Sequence, residues 1–302
     1  MKNVAMIKGI YAGRSVFFQF GVLTFLVLTG FFMASTVSYV LLAVSGQAGV
    51  GMESVVYVQC VQLLASAFTF LFPAVATVWL CSEQPAAFFG SGRVPGVRLA
   101  AWIAAATLLI SPAVSLTGYF NMQMQLPEFM APLEQYMRDA EKSTAEVIAK
   151  MLQREGFLPL LANLAVIAVA AAVCEEFLFR GTILGLLGRK MRSPHVAIWI
   201  VAVIFSAIHF QFYGFVPRML LGVFLGYLMR WTGSIWAPVF AHFLYNAVAV
   251  AGMSNDLLKD SVFFTDNPDA GDMGWFSVVS AVTLIAFFGC MRVIRRTGLN
   301  GE

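Results

Sequence analysis

The chain has 302 residues, of which 60% are hydrophobic and only 12% are charged, and its formal net charge is +3. Soluble globular domains carry roughly 25% charged residues, so this composition excludes an ordinary soluble domain. The small net charge gives no indication of a nucleic-acid partner. The sequence predicts an all-α integral membrane protein that crosses the bilayer several times.

Four cysteines lie in or at the ends of apolar runs, and none belongs to a CxxC pair. This distribution supports neither a disulfide framework nor a thiolate metal site. We expect small, hydrophobic core side chains at all four positions, which are Cys60, Cys81, Cys174 and Cys290.

Three long apolar runs occupy the first part of the chain, at residues 16–44, 55–80 and 99–118. The first is too long for the core of a cleaved signal peptide, so it is predicted to remain as a first span. The first two runs exceed the roughly 20 residues that a helix needs to cross a bilayer, and tilt or overhang is therefore expected.

Residues 121–156 interrupt the apolar pattern, because charged side chains alternate there with Met, Leu, Ile and Tyr at helical spacing. This pattern predicts an amphipathic helix that lies at the membrane interface or packs over the mouth of the bundle. A separate functional arm is the alternative.

Five further apolar runs bring the predicted number of spans to about eight. The run at 215–229 has Pro217 and Arg218 near its start and glycines in its body, so it is expected to be broken or only partly spanning. An acidic loop precedes the last run and contains Asp256, Asp260, Asp266, Asp269 and Asp272. The five runs cover residues 157–187, 196–213, 215–229, 235–251 and 275–291.

Lysine and arginine are distributed unevenly between the two sides that eight spans would define. If both termini are cytoplasmic, 12 of these residues lie inside and 6 lie outside. Because cytoplasmic loops are enriched in Lys and Arg, this count favours cytoplasmic termini. The expected location is a plasma membrane, which in a bacterium is the inner membrane, with the 121–156 segment outside.

Three charged residues lie within six positions of the fourth predicted span: Glu175, Glu176 and Arg180. A charge at the centre of a bilayer costs about 2.5 to 3.5 kcal/mol on insertion scales, so such groups must face a protein interior or compensate one another. Glu176 and Arg180 are four residues apart and share a helix face, whereas Glu175 points elsewhere. The spacing predicts a structural ion pair and leaves Glu175 as the candidate general base.

Two later spans carry intramembrane polar residues, His209 on the fifth and His242 with Asn246 on the seventh. At a rise of about 1.5 Å per residue, Glu175, His209 and His242 are all predicted to lie near mid-bilayer. These groups suit amide hydrolysis, since a base can activate water and neutral donors can stabilise an oxyanion. His242 and Asn246 share a helix face, so their donors are expected to converge on one oxygen.

The same residues allow a second chemistry. Glu175, His209 and His242 are similar to the two-histidine, one-carboxylate ligand set of catalytic zinc sites. The chain has no HExxH motif. The sequence therefore leaves both a metal-free and a zinc-dependent site open.

The patterns EExxxR, FxxxH and HxxxN at 175–180, 205–209 and 242–246 resemble the signature motifs of the CPBP intramembrane proteases. This superfamily includes the type II CAAX prenyl proteases and bacteriocin-processing and immunity proteins. The resemblance covers about residues 170–250 and departs at no motif position. It implies that Glu175 activates a water with help from His209, that His242 and Asn246 form the oxyanion hole, and that Glu176 and Arg180 are structural.

Together these observations predict one membrane domain over residues 1–302, with the N-terminal spans and arm at 1–156, a catalytic core at 157–253, and the acidic loop and last span at 254–302. The expected function is an intramembrane endopeptidase. Its expected partners are the lipid bilayer and a peptide or protein, either a prenylated C-terminus or a leader peptide. A non-catalytic scaffold or bacteriocin-immunity protein and a transporter remain the alternatives.

Overall fold

The computed structural model describes residues 7–47, 54–153, 156–255, 257–258, 261 and 272–299. All regular secondary structure in these residues is helical, which confirms the predicted helical membrane protein. Most of the predicted acidic loop lies outside the described residues. The helices are α1 (Val16–Gln47), α2 (Val55–Cys81), α3 (Pro85–Phe89), α4 (Val97–Met122), α5 (Ala131–Leu152), α6 (Phe157–Lys190), α7 (Pro194–Ala207), α8 (Phe215–Thr232), α9 (Trp236–Met253) and α10 (Met273–Leu299).

Six of the described helices are long and apolar enough to cross a membrane: α1, α2, α4, α6, α9 and α10. The other two predicted spans are α7 and α8. Helix α7 has only 14 residues, a length of about 21 Å at the usual rise, which is less than the roughly 30 Å of a hydrocarbon core. Two arginines, Arg218 and Arg230, lower the apolarity of α8. The sequence predicted about eight spans, and six of the described helices meet these criteria, with α7 and α8 as two additional helices.

Each of these additional helices departs from one expectation. The alternative of a broken α8 is wrong: the helix is continuous from Phe215 to Thr232, because Pro217 lies in its first turn, where a missing N–H costs little. The fifth predicted run is not helical as far as Tyr213. Helix α7 ends at Ala207, and Phe210 then takes a left-handed conformation with φ 53°, which a continuing right-handed helix does not permit.

Helices α7 and α8 pack against each other as a helical hairpin. Gly222 of α8 permits this close approach, since a Cβ there would lie 3.1 Å from Cα of Ala202 and 3.4 Å from a guanidinium nitrogen of Arg180. The hairpin therefore brings the start of α8 close to the charged part of α6.

The hydrophobic core has two parts. One joins α4, α8, α9 and α10 and includes Ile103, Leu225, Ala241 and Ile294. The other joins α1, α2, α6 and α7 around Phe179 and Phe205. Glu175 and Glu176 are therefore carried by a helix of one part of the core, and His242 and Asn246 by a helix of the other.

The predicted amphipathic segment is helix α5, preceded by a 3₁₀ turn at Glu128–Met130. It packs against α2 and the start of α6. It also reaches the turn between α7 and α8. The Arg138 guanidinium lies 4.5 Å from the centre of the Tyr213 ring, and Glu141 lies 4.0 Å from Arg218. The amphipathic helix therefore borders the α7–α8 turn.

Candidate active site

Helix α6 carries the two glutamates in an irregular part of the helix. The α-helical segment Ala171–Glu176 is flanked by π-helical turns at Leu164–Ala170 and Phe177–Ile183. A π-helical turn changes the direction in which successive side chains point, and such turns are frequent at functional sites. Glu175 and Glu176 are thus presented between two local distortions of one long helix.

Glu176 and Arg180 form a fully buried ion pair, with 2.7 Å between Oε1 of the carboxylate and Nη1 of the guanidinium. The other terminal nitrogen, Nη2, donates to the Gly222 carbonyl at 3.1 Å. The guanidinium also lies 4.5 Å from the centre of the Phe205 ring. Hydrogen bonds and an aromatic face thus partly replace the hydration that both charges lose on burial.

His242 links the two glutamates. Its Nδ1 lies 2.8 Å from Oε1 of Glu176. Because Oε1 also accepts a hydrogen bond from Nη1 of Arg180, we assign this oxygen as an acceptor and Nδ1 of His242 as the donor. The other ring nitrogen, Nε2, faces Glu175 at 4.0 Å, which is beyond a direct hydrogen bond. The imidazole therefore has one nitrogen fixed by Glu176 and the other directed towards Glu175.

His209 lies in the turn after α7, and not on a helix as predicted. Its Nδ1 is 2.7 Å from the carbonyl oxygen of Phe205, so this nitrogen donates the hydrogen. The Phe205 ring contacts both imidazoles, with centroid distances of 5.2 Å to His209 and 6.1 Å to His242. Phe205 therefore connects His209 to the rest of the cluster, and the Nε2 nitrogen of a neutral His209 is left as an acceptor.

Asn246 follows His242 by one turn of α9. Its Nδ2 donates to the Ile167 carbonyl in the first π-helical turn of α6, at 3.0 Å. One of the two amide hydrogens is therefore used to join α9 to α6, and one remains. The predicted convergence of His242 and Asn246 on a single oxygen stays a proposal.

The bond between Glu176 and His242 is a feature that the sequence did not suggest. Spacing along one helix predicts the Glu176–Arg180 contact, but His242 lies on another helix, 66 residues away. The only sequence signal was that both residues belong to the same set of polar intramembrane positions. Glu176 thus has two partners, where the sequence suggested one.

A zinc site built from Glu175, His209 and His242 is not supported. Within the described part of the chain, no group of three or more His, Cys, Asp or Glu side chains could hold a metal ion. The hydrogen bond from Nδ1 to Glu176 leaves Nε2 as the one nitrogen of His242 that could bind a metal ion, and Nε2 lies 4.0 Å from Glu175. The mechanism proposed below therefore uses no metal.

An apolar groove of about 610 Å³ lies elsewhere, between Ile7 and helix α2. Its lining includes Phe68, Phe72 and Trp79 and contains none of the candidate site residues. Its size is typical of a ligand pocket, but it lacks the convergent polar groups that chemistry requires. The better candidate for a reactive site is the group of polar residues carried by α6, the turn after α7, and α9, called the α6–α9 cluster below. Its members are Glu175, Glu176, Arg180, His209, His242 and Asn246.

Comparison with known proteins agrees with this location. Residues 157–248 match the family model described as type II CAAX prenyl endopeptidase Rce1-like. An uncharacterized protein of Bacillus subtilis (strain 168), YpbD, is 32% identical over 81 residues, which are 26% of this chain and 38% of YpbD. The alignment thus spans well under half of that relative. No solved structure matches the chain at a significant level.

The match to the family model covers less than a third of the chain, and over residues 157–248 the chain is similar to the type II CAAX prenyl endopeptidases. Every residue of the α6–α9 cluster lies inside the matched segment.

Proposed function

We propose that this chain is an intramembrane endopeptidase in which Glu175 activates a water molecule for attack on a peptide bond. One observation carries the proposal. Oε1 of Glu176 already accepts hydrogen bonds from Arg180 and His242, whereas Oε2 of Glu175 lies 4.0 Å from Nε2 of the same imidazole. The side chain of Glu175 is 13% exposed and that of Glu176 is 0% exposed. Glu175 is therefore the carboxylate that a water and a substrate can reach.

His209 is proposed to hold the attacking water together with Glu175. Since its Nδ1–H donates to Phe205, the unprotonated Nε2 of a neutral ring can accept a hydrogen bond from the water. Such a contact would orient one lone pair of the water oxygen towards the carbonyl carbon. Glu175 then takes the proton from the water as attack proceeds, in the role of a general base.

His242 and Asn246 are proposed to stabilise the oxyanion that forms on the substrate. Nδ1–H of His242 is directed at Glu176, so Nε2 can donate only when the ring is an imidazolium. In that state the cluster of Glu175, Glu176, Arg180 and His242 has two negative and two positive charges. Glu176 would orient the imidazole as a buried carboxylate orients the histidine of a catalytic triad.

The proposed substrate is a peptide or protein segment that enters from the bilayer. The name of the matched family points to a prenylated C-terminal peptide, and a leader peptide is the alternative. In the proposed mechanism Glu175 and His242 act on the peptide bond, so the prenyl group takes no part in the chemical step. Assays should therefore include the same peptide with and without an isoprenyl chain.

The proposed function is tested with purified full-length protein in liposomes and fluorogenic peptides of both classes. Wild-type protein should cleave at least one of them, and Glu175→Gln should not. The matched control is Glu146→Gln, because Glu146 is 67% exposed on the amphipathic helix. Cleavage should also persist after treatment with a chelator. Absence of cleavage by folded wild-type protein would favour a non-catalytic scaffold, and restoration by zinc of activity lost to the chelator would revive the metal-dependent mechanism.

A further inference from the structure

Asn121 is a buried polar residue near the end of α4, outside the segment that matches the family. Its side chain is 3% exposed. Nδ2 donates to the carbonyl of Phe212 at 3.1 Å, and Oδ1 accepts from the backbone N–H of Val216 at 2.9 Å. One carboxamide thus holds two backbone positions in the connection between α7 and α8.

The two backbone positions lie on either side of the start of helix α8. Val216 is in the first turn of α8, where backbone N–H groups have no partner within the helix. The residue that precedes the helix, Gly214, supplies no side-chain cap. Asn121 therefore provides from a neighbouring helix a hydrogen bond that α8 cannot provide itself.

The connection held by Asn121 is the one that carries His209. Close to α7, Nδ1 of His209 donates to the Phe205 carbonyl, and the Ser206 hydroxyl donates to the Phe215 carbonyl at 2.6 Å. Close to α8, the Asn121 carboxamide forms hydrogen bonds with the backbone of Phe212 and Val216. The left-handed Phe210 lies between these two sets of contacts. The position of the His209 ring therefore depends on anchors at both ends of a short turn.

We propose that Asn121 is a positioning residue that fixes His209 relative to Glu175. The inference rests on the proposed function, since it assigns to Asn121 an effect on turnover that is transmitted by His209. A displacement of about 1 Å at a reacting group can cost roughly 10²-fold in rate. Removal of the Asn121 carboxamide should thus lower kcat by about this factor and leave KM nearly unchanged.

A double-mutant cycle separates positioning from general stabilisation. Asn121→Ala is measured in the wild-type background and in the His209→Ala background. Positioning predicts a loss of about 10²-fold in kcat in the first background and little further loss in the second, because the group being positioned is already absent. Equal losses in both backgrounds, or a change in KM alone, would overturn the proposal.

Asn163 supplies the matched control. It is also a buried asparagine, 1% exposed, and its carboxamide also makes two hydrogen bonds, to the Met151 carbonyl and to Gln59. Neither partner belongs to the α7–α8 connection. Asn163→Ala should therefore show no coupling to His209. If Asn121→Ala does not fold, Asn121→Gln, which keeps the amide but displaces it by one methylene group, takes its place in the cycle.

Backbone hydrogen exchange measures how firmly Asn121 holds the α7–α8 connection, independently of peptide cleavage. The peptide covering residues 208–216 should exchange faster in Asn121→Ala than in wild-type protein and Asn163→Ala. Unchanged exchange would overturn the proposal even if cleavage fell. If His209→Ala retains full cleavage, the proposed role of His209 fails instead, and faster exchange would still show that Asn121 holds the turn.

Discussion

Nδ1 of His242 lies 2.8 Å from Oε1 of Glu176, the same oxygen that Nη1 of Arg180 contacts at 2.7 Å. The buried ion pair of α6 is therefore joined directly to an imidazole of α9. Because the carboxylate is fixed by Arg180, it fixes in turn the hydrogen on Nδ1 and the direction of Nε2. The buried Glu176–Arg180 pair is thus also in contact with an imidazole of the candidate active site.

Removal of the guanidinium should destabilise the protein strongly. Arg180→Ala leaves Glu176 as a buried acid with its main partner gone, and breaking comparable buried pairs costs about 3 to 5 kcal/mol. Chemical unfolding in detergent micelles measures this loss, with the exposed Arg230→Ala as the control. Glu176→Gln combined with Arg180→Met should recover part of the stability. Equal stability of Arg180→Ala and Arg230→Ala would contradict the role of the pair.

Loss of either proposed oxyanion donor should slow turnover more than it weakens substrate binding. His242→Ala and Asn246→Ala are each expected to lower kcat by about 10² to 10³-fold, with smaller effects on KM. Steady-state kinetics on the cleaved peptide provide the measurement, and Asn163→Ala is the control for loss of a buried amide. A change confined to KM in both variants would assign these residues to substrate binding.

Side-chain contacts within one helix could be predicted from the sequence alone. Glu176 and Arg180 are four residues apart, so their contact follows from helical spacing alone. The contact between Glu176 and His242 depends on how α6 and α9 pack, which no local spacing encodes. The end of α7 at Ala207 was missed because residues 196–213 contain no Gly, Pro, Asp, Glu, Lys or Arg that would indicate a turn, and only the backbone of Phe210 shows it. Asn121 was missed because it begins the polar 121–156 segment, where a single amide side chain carries no distinguishing signal.

The attachment of helix α5 should be sensitive to acid. The Glu134 carboxylate accepts hydrogen bonds from Arg138 and from the Leu126 N–H, and these bonds hold the pKa of Glu134 below its ordinary value of 4.5. A lowered pKa in the folded state contributes stability above the ordinary value, and this stability is lost as the pH falls through the lowered one. The contact between Arg138 and Tyr213 should therefore loosen under strongly acidic conditions.

Spin labels at Tyr136 and Phe210, which are 70% and 82% exposed, can report this loosening as a broader distance distribution at about pH 3 than at pH 7. Glu134→Gln should broaden the distribution already at pH 7. An identical distribution for wild-type protein at both pH values would show that Glu134 does not hold the helix.

The excess of Lys and Arg in the loops on one side predicts cytoplasmic termini, which would place α5 on the opposite side of the membrane. Glu146→Cys is a suitable reporter, because the Glu146 side chain is 67% exposed and the four native cysteines can be replaced. A membrane-impermeant thiol reagent should label this position in intact cells. Labelling only after the cytoplasmic side is opened would reverse the orientation.

The central claim is that Glu175, and not Glu176, is the general base. Glu175→Gln keeps the shape and most of the hydrogen-bonding capacity of the side chain but removes the proton acceptor. The most direct test compares single-turnover cleavage by folded Glu175→Gln protein in liposomes with cleavage by wild-type protein and Glu176→Gln. We predict a rate lower by at least about 10² to 10⁴-fold for Glu175→Gln, with unfolding stability near that of wild type. Retained cleavage in Glu175→Gln together with complete loss in a folded Glu176→Gln protein would contradict the assignment.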